Sequence, residues 1–255
     1  MSILDQFRLG GRTAIVTGGN RGIGRAIADG LADVGANVVI ANRDAEAGDR
    51  AAEEIADEFD VQTLAVPTDV TEESDVQAMV DRTVDEFGGV DILINNAGIV
   101  QHNAVEEKSV AEFQHTLDVN LTGAYRTAKY VGEVMREGGG GVLINVSSMS
   151  AFVANYPKHQ VDYQASKGGL EALKNQLASE WAEDDIRVNN VNPGFVDTGL
   201  DAEADEHLET WRSEMLVDEF AEPEAIAPLV VYLASDASSY VTGESVVIDG
   251  GYTVR

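Results

Sequence analysis

The sequence contains no cysteine and few basic residues, and each scarcity excludes a class of site or partner. Without cysteine there can be no disulfide, no thiolate nucleophile and no cysteine metal ligand. Lysine and arginine together number 17 against 45 acidic residues, which gives a net charge of −28. A surface this acidic repels nucleic acid and anionic lipid, so we expect neither as a partner.

Long apolar runs are also missing. No run of about 18 apolar residues occurs, so no membrane span is expected. The first residues lack the basic start and apolar run of a signal peptide, so we expect a cytoplasmic protein. The acidic residues are spread along the whole chain. We therefore hypothesise a halophilic source, in which carboxylates stay hydrated and screened in molar salt.

What the sequence does contain is an alternation of short β-branched runs with amphipathic segments of helical length. Such alternation predicts βαβ units, and hence one α/β domain over residues 1–255 with a parallel sheet. The acidic, poorly periodic stretch 195–220 is predicted to be a substrate lid. Strands are predicted at 12–17, 37–42, 61–66, 90–94, 142–146, 186–191 and 244–249, and helices at 25–33, 45–58, 72–87, 222–235 and most of 105–137.

A glycine-rich turn lies between the first predicted strand and the first predicted helix. Gly18, Gly22 and Gly24 there follow a Gly-x-x-x-Gly-x-Gly spacing. Such a turn directs backbone N–H groups and a helix N-terminus toward an anion, typically a pyrophosphate. Arg21 in the turn and Arg43 after the second strand favour NADP(H), because guanidiniums bind a 2′-phosphate well. NAD(H) is the alternative, since Asp44 follows and we find no third basic residue.

Distinctive polar residues follow several predicted strands. Asn42, Asp69 and Asn96 stand at such ends, as Gly18 does. Ligands of parallel sheets bind beyond the carboxyl ends of the strands. We therefore expect these residues to line one binding cleft.

Tyr163 and Lys167 lie one helical turn apart, downstream of Ser147 and Ser148. Side chains at this spacing share one face of a helix. An ammonium near a phenol favours the phenolate, which makes the tyrosine a candidate general acid and base. Alone, however, the same pair is more often an ordinary surface pair.

Along nearly its whole length the chain resembles the short-chain dehydrogenase/reductase family. The matching pieces are the glycine turn, Asp69, Asn95-Asn96-Ala97-Gly98, Asn120, the serine pair, Tyr163-x-x-x-Lys167, Asn192-Pro193-Gly194 and Thr198. The resemblance implies a doubly wound, seven-stranded Rossmann sheet and a catalytic tetrad of Asn120, Ser148, Tyr163 and Lys167. It also implies a homotetramer. The implied cofactor-binding residues, together with those from the turn and strand ends, are Gly18, Asn20, Arg21, Gly22, Ile23, Gly24, Asn42, Arg43, Asp69, Val70, Asn96, Ala97, Gly98, Tyr163, Lys167, Gly194, Val196 and Thr198.

In this family Tyr163 would exchange a proton with the substrate oxygen and Ser148 would hydrogen-bond that oxygen. Lys167 would bind the nicotinamide ribose, and Asn120 would position a water. One departure concerns the serine, because the usual family spacing matches Ser150, 13 residues before Tyr163, whereas Ser148 precedes it by 15. We favour Ser148 because it directly follows the fifth strand.

The loop between Ser148 and Tyr163 resembles the polyol and ketose reductase branch of the family. Ser150, Asn155 and His159, besides Ser148 and Tyr163, are predicted to contact the hydroxyls of a small hydroxy or keto substrate. His159 is equally suited to being a solvated loop residue, and no histidine spacing suggests a metal site. The alternatives are a 3-oxoacyl thioester reductase, which would need a basic patch for its carrier, and a non-catalytic dinucleotide sensor.

Overall fold

The computed structural model describes residues 2–198 and 207–255, and it contains the predicted doubly wound α/β sheet. The sheet has seven parallel strands in the order β3-β2-β1-β4-β5-β6-β7. The strands are β1 Thr13–Thr17, β2 Asn37–Asn42, β3 Thr63–Pro67, β4 Ile92–Asn95, β5 Gly141–Val146, β6 Ile186–Pro193 and β7 Ser245–Ile248. The strand order reverses between β1 and β4, which is where a ligand crevice forms in such sheets.

Helices cover both faces of the sheet. Buried side chains of α1, α2 and α8 belong to one core cluster, and those of α3, α5 and α6 belong to the other. The helices are α1 Gly22–Asp33, α2 Ala45–Phe59, α3 Glu73–Phe87, α4 Val110–Leu117, α5 Gly123–Gly138, α6 Val161–Glu180, α7 Leu208–Glu214 and α8 Ala227–Ala234. Among the described residues, no helix is long and apolar enough to cross a bilayer.

The central strands are buried on both faces, which explains their uninterrupted apolar runs. Ala14 and Val16 of β1 pack into the cluster of α1 and α8, whereas Ile15 between them packs against α3 and α5. Strand side chains alternate between the two faces, so each strand contributes to both cores. This double burial fixes the strand ends that carry the polar residues.

The segment predicted to be helical from 105 to 137 is divided into three parts. Ser109 caps α4, since its Oγ accepts a hydrogen bond from the N–H of Glu112 (3.2 Å) while the Glu112 carboxylate accepts one from the Ser109 N–H (2.8 Å). The helix therefore begins after residue 109. A π-helical turn, Asp118–Thr122, then joins α4 to α5. The sequence of this segment predicts five core residues. Two of them, Ala124 and Ala128, are buried, whereas Leu117, Val119 and Leu121 are only half-buried.

The predicted lid at 195–220 falls partly outside the described residues, because 199–206 are not described. Its remaining part is held against the rest of the protein. Trp211 is only 1% exposed and donates its indole N–H to the carbonyl oxygen of Tyr156 (3.0 Å), outside the segment, while its ring stacks on Phe195 of the same segment at 4.8 Å between ring centroids. The described part of the segment therefore contacts the loop that precedes Tyr163.

Candidate active site

A cleft of about 710 Å³ opens beyond the carboxyl ends of the strands, beside the point where the strand order reverses. Its volume lies in the usual range for small-molecule and cofactor sites. The cleft brings together residues that follow β1 to β6, as the strand-end pattern predicts. All the predicted cofactor-binding residues except Val196 line it, namely Gly18, Asn20, Arg21, Gly22, Ile23, Gly24, Asn42, Arg43, Asp69, Val70, Asn96, Ala97, Gly98, Tyr163, Lys167, Gly194 and Thr198.

Val196 does not line the cleft. It forms an isolated parallel bridge with Ala221 and packs against the core cluster of α1 and α8. Its neighbour Thr198 does reach the cleft, where its methyl group lies near Gly22. The segment after β6 therefore contributes Thr198 to the cleft wall, and Val196 anchors this segment to the core.

Two glycines of the turn, Gly18 and Gly24, cannot carry side chains. Gly18 has a φ of +66°, which a residue with a side chain rarely adopts. A Cβ on Gly24 would lie 2.3 Å from the carbonyl oxygen of Gly18 and 2.4 Å from Nδ2 of Asn96. The absence of side chains leaves the N-terminus of α1 open toward the cleft. This arrangement fits a pyrophosphate.

Asn96 supports this turn from β4. Its Nδ2 donates to the carbonyl oxygens of Thr17 (2.9 Å) and Gly18 (3.3 Å). The hydroxyl of Thr17 in turn accepts the backbone N–H groups of Asn96 (2.9 Å) and Ala97 (3.0 Å). The family resemblance implies a place for Asn96 near the adenine-side ribose, and the structure shows its amide hydrogen-bonded to the glycine turn.

Three arginines line the end of the cleft beyond β2. Arg21 and Arg43 were predicted there, and Arg50 of α2 joins them. The sequence prediction missed Arg50, because it considered the glycine turn and the strand end but not the following helix. Arg50 lies in the second turn of α2, which begins at Ala45, and its position on the helix face was the signal that could have indicated it. The guanidiniums fit a 2′-phosphate, which is the group that distinguishes NADP from NAD.

Asp69 and Val70 line the cleft after β3. The Asp69 carboxylate accepts hydrogen bonds from the N–H (2.9 Å) and the hydroxyl (2.7 Å) of Thr71. Partial burial opposes ionisation, but these two hydrogen bonds hold the pKa of Asp69 below its usual range. Asp69 therefore stays ionised and keeps its loop in place.

Ser148, Tyr163 and Lys167 line the same cleft on the side of β5 and α6, three strands along the sheet from β2. The Nζ of Lys167 lies 5.5 Å from the Tyr163 ring centroid and donates to the carbonyl oxygen of Val146 at 2.7 Å. Burial lowers the pKa of Lys167 to about 8, and the negative charge of Glu171, one turn further along α6, partly offsets this effect. A lysine that titrates close to neutrality beside a phenol suits proton transfer.

Asn120 lies buried in the π-helical turn and does not line the cleft. Its Oδ1 accepts the N–H of Ile99 (2.8 Å), and its Nδ2 donates to the carbonyl oxygen of Ile99 (2.9 Å) and to Oγ of Ser166 (3.1 Å). Ser166 Oγ donates to the carbonyl oxygen of Tyr163 at 2.7 Å. Asn120 thus connects the loop after β4 to the Tyr163 helix.

The other predicted substrate residues do not reach the cleft wall. Ser150 and Asn155 are buried behind Ser148, with Nδ2 of Asn155 donating to Oγ of Ser150 at 2.7 Å. His159 is exposed to solvent and does not line the cleft. Of the two competing serines, only Ser148 borders the cleft. After Ser148 the chain forms a short 3₁₀ turn, Met149–Ala151, which carries Ser150 away from the cleft.

Comparison with known proteins gives the site a family context. A family model described as "Enoyl-(Acyl carrier protein) reductase" matches residues 18–253. The NADP-dependent mannitol dehydrogenase of Hypocrea jecorina is 39% identical over 99% of this chain and 96% of that protein. The sorbose reductase of Schizosaccharomyces pombe is 39% identical over 98% of this chain and 99% of its own length. The crystal structure of a short-chain type dehydrogenase/reductase from Mycobacterium marinum superposes with a TM-score of 0.96, at 38% identity over the whole of both chains.

Proposed function

Because the chain belongs to the short-chain dehydrogenase/reductase family, we propose that it oxidises or reduces a sugar, polyol or sugar acid with NADP(H) as its cofactor. The observation that carries this proposal is the arrangement of one cleft, with Arg21, Arg43 and Arg50 at one end and Tyr163 and Lys167 at the other. The relatives support the cofactor and the substrate class, since they are named as an NADP-dependent mannitol dehydrogenase and a sorbose reductase.

The residues at each end of the cleft would hold the two ends of the cofactor. The N-terminus of α1 and the glycine turn would bind the pyrophosphate, and the arginines would bind the 2′-phosphate. Lys167 would hold the ribose that carries the nicotinamide. When bound, the nicotinamide supplies a hydride for ketone reduction or accepts one in alcohol oxidation.

The protein's own groups handle the proton. In reduction, Tyr163 donates its phenolic proton to the substrate oxygen while the substrate carbon gains a hydride, so that a ketone becomes a secondary alcohol. Ser148 donates a hydrogen bond to the same oxygen and stabilises the charge that develops there. The nearby Lys167 ammonium favours the phenolate that remains on Tyr163. Oxidation follows the same steps in reverse.

The remaining parts of the site would control access and assembly. We propose that the described residues 195–198 and 207–220 cover the substrate end, with Trp211 as the anchor against the Tyr156 loop. We also propose a homotetramer. Three apolar side chains that are exposed in the single chain would be buried between subunits in such an assembly: Val110 of α4, Tyr125 of α5 and Val247 of β7. Light scattering on the purified protein tests the assembly, and a monomer would contradict it.

A spectrophotometric screen tests the function directly. Ketoses, polyols and sugar acids are assayed with NADP(H) and with NAD(H) at high salt, and a 3-oxoacyl thioester is included for the alternative reductase. We expect turnover with a polyol or ketose and a lower KM for NADP than for NAD. Turnover of the thioester alone would establish the alternative, and NADPH binding without any turnover would indicate a dinucleotide sensor.

Two serine variants test the residue assignment within the same assay. Ser148→Ala should lower kcat about 100-fold, since one donor to a developing oxyanion contributes on the order of 10²–10³. Ser150→Ala should lower kcat only a few-fold, because Ser150 does not border the cleft. If the two effects are reversed, the catalytic serine is Ser150.

A further inference from the structure

We propose that Asn155 and Gln160 are positioning residues that orient the Ser148 hydroxyl, acting through Ser150, so that its hydrogen points to the substrate oxygen. The inference rests on the proposed function, in which Ser148 contacts that oxygen. It gives a role to Ser150, Asn155 and Gln160, which are buried polar residues that do not line the cleft.

Ser150 is the centre of this hydroxyl relay, which consists of Ser148, Ser150, Asn155 and Gln160. Its Oγ lies 2.7 Å from Nδ2 of Asn155, 3.3 Å from Nε2 of Gln160 and 3.0 Å from Oγ of Ser148. All four residues are buried, with exposures of 3% for Ser150, 7% for Asn155, 5% for Gln160 and 7% for Ser148. Water therefore does not compete easily for these bonds.

The direction of each bond follows from the donors. Amide nitrogens can only donate, and a hydroxyl oxygen has two acceptor positions and one hydrogen. The amides of Asn155 and Gln160 occupy both acceptor positions of Ser150. The 3.0 Å separation between the two hydroxyl oxygens allows either one to donate, and with both acceptor positions filled Ser150 is left as the donor to Oγ of Ser148.

The same count applies to Ser148. Its Oγ accepts the backbone N–H of Ser150 at 3.1 Å and, by the previous step, the hydroxyl hydrogen of Ser150. Both acceptor positions are then filled, and within the part of the chain that the structure describes Ser148 Oγ has no further partner. Its own hydrogen remains for an oxygen in the cleft, which Ser148 lines together with Tyr163. A fixed donor needs no reorganisation when charge develops on the substrate.

Asn155→Asp is the variant that reverses the relay without changing its shape. A carboxylate can only accept, so Ser150 would turn its hydrogen toward position 155, accept from Ser148 and draw the Ser148 hydrogen away from the cleft. We expect kcat for ketone reduction to fall on the order of 100-fold, with the KM for NADPH unchanged. Ala154→Asp is the matched control, because it places the same charge on the exposed neighbouring side chain and should leave kcat near that of the wild type.

Two further readouts separate relay reversal from simple damage. Adding Ser150→Ala to Asn155→Asp should restore kcat to the level of Ser150→Ala alone, because the carboxylate then has no hydroxyl through which to act. Activity of Asn155→Asp relative to wild type should also rise toward acidic pH, since a protonated carboxyl can donate again, while the ratio for Ala154→Asp stays flat. If Asn155→Asp does not fold, Gln160→Glu takes its place, because it likewise replaces an amide donor to Ser150 with a carboxylate acceptor and should lower kcat in the same way.

Wild-type kcat in Asn155→Asp would overturn the proposal, and so would a double variant as slow as Asn155→Asp alone. Neutron diffraction from crystals of the deuterated wild-type protein tests the relay without turnover. We expect the deuterium on Ser150 Oγ to point to Ser148, and a deuterium pointing to Asn155 would refute the relay. Failure of the proposed function is a separate result, because it would appear as wild-type protein without turnover, whatever the position of this deuterium.

Discussion

The buried ion pair between Lys108 and Asp162 should be the most sensitive electrostatic contact near the active site. Their charged atoms lie 2.7 Å apart, and the two side chains are 2% and 0% exposed. The same Asp162 oxygen also accepts the Thr116 hydroxyl at 2.7 Å. Removing one partner of such a pair leaves an uncompensated buried charge, which costs about 3–5 kcal/mol.

Lys108→Ala should therefore lower the free energy of unfolding by about 3–5 kcal/mol. For a chain of this size 1 kcal/mol shifts the thermal midpoint by about 2–4 °C, so we expect a fall of roughly 6–20 °C. Urea titration gives the free energy and a thermal scan gives the midpoint. The combined variant Lys108→Met with Asp162→Asn should recover most of the loss, because it removes both charges and keeps the volume.

The pH dependence of this effect has a defined sign. Burial of Asp162 opposes its ionisation, but the hydrogen bonds from Lys108 and Thr116 outweigh burial and lower its pKa. A carboxyl with a lowered pKa in the folded state stabilises the fold above its ordinary pKa, and this contribution is lost as the pH falls through the folded value. The difference between wild type and Lys108→Ala should accordingly shrink in acid.

An exposed ion pair provides the matched control. Lys129 and Glu73 lie 3.4 Å apart with side chains 42% and 58% exposed, so Lys129→Ala should leave the midpoint nearly unchanged. If Lys108→Ala changed stability as little as Lys129→Ala, Asp162 would have to be solvated, and the argument from burial would be refuted. Lys108→Ala should also lower kcat at temperatures well below the thermal midpoint of the variant, because Asp162 directly precedes Tyr163 in α6.

Three further predictions test other parts of the site and surface. Arg43→Ala should raise the KM for NADP far more than that for NAD, because its guanidinium lies where a 2′-phosphate would bind; equal changes in steady-state kinetics would contradict that placement. Gly24→Ala should abolish NADPH binding in calorimetry, because its Cβ would meet the carbonyl oxygen of Gly18 at 2.3 Å, and unaltered affinity would show that the turn can open. The thermal midpoint should rise between low and molar KCl, because salt screens the repulsion within a net charge of −28, and a midpoint independent of KCl would remove the case for a halophilic source.

The sheet and the nucleotide end of the cleft could be predicted because their signals are local. A β-branched run followed by glycines, as in Thr13–Thr17 and Gly18, determines both a strand and the turn after it. Parallel strands end at one edge, so Asn42, Asp69 and Asn96 fall together once the alternation is recognised. In these elements, the place of a residue at the end of a strand is enough to predict that it lies at the edge of the sheet that forms the cleft.

The interior of the substrate end could not be predicted, because its contacts join residues far apart in sequence. Lys108 and Asp162 are 54 residues apart, and Asn120 and Ser166 are 46 apart. Asn155 was interpreted as a substrate ligand because a polar loop residue near a catalytic serine suits either role. Only the folded structure shows that its amide turns inward to Ser150.

These inward contacts converge on the first turns of α6, which carry Tyr163. Gln160 holds the start of the helix through Ser150, Asp162 is held by Lys108 and Thr116, and Ser166 is held by Asn120. A displacement of about 1 Å at a reacting group can cost about 100-fold in rate, whereas the same shift changes packing energy little. The three contacts therefore matter more for the position of Tyr163 than for the fold as a whole. It follows that conservative substitutions among them should reduce kcat before they reduce stability, except where, as at Lys108, they leave a buried charge unpaired.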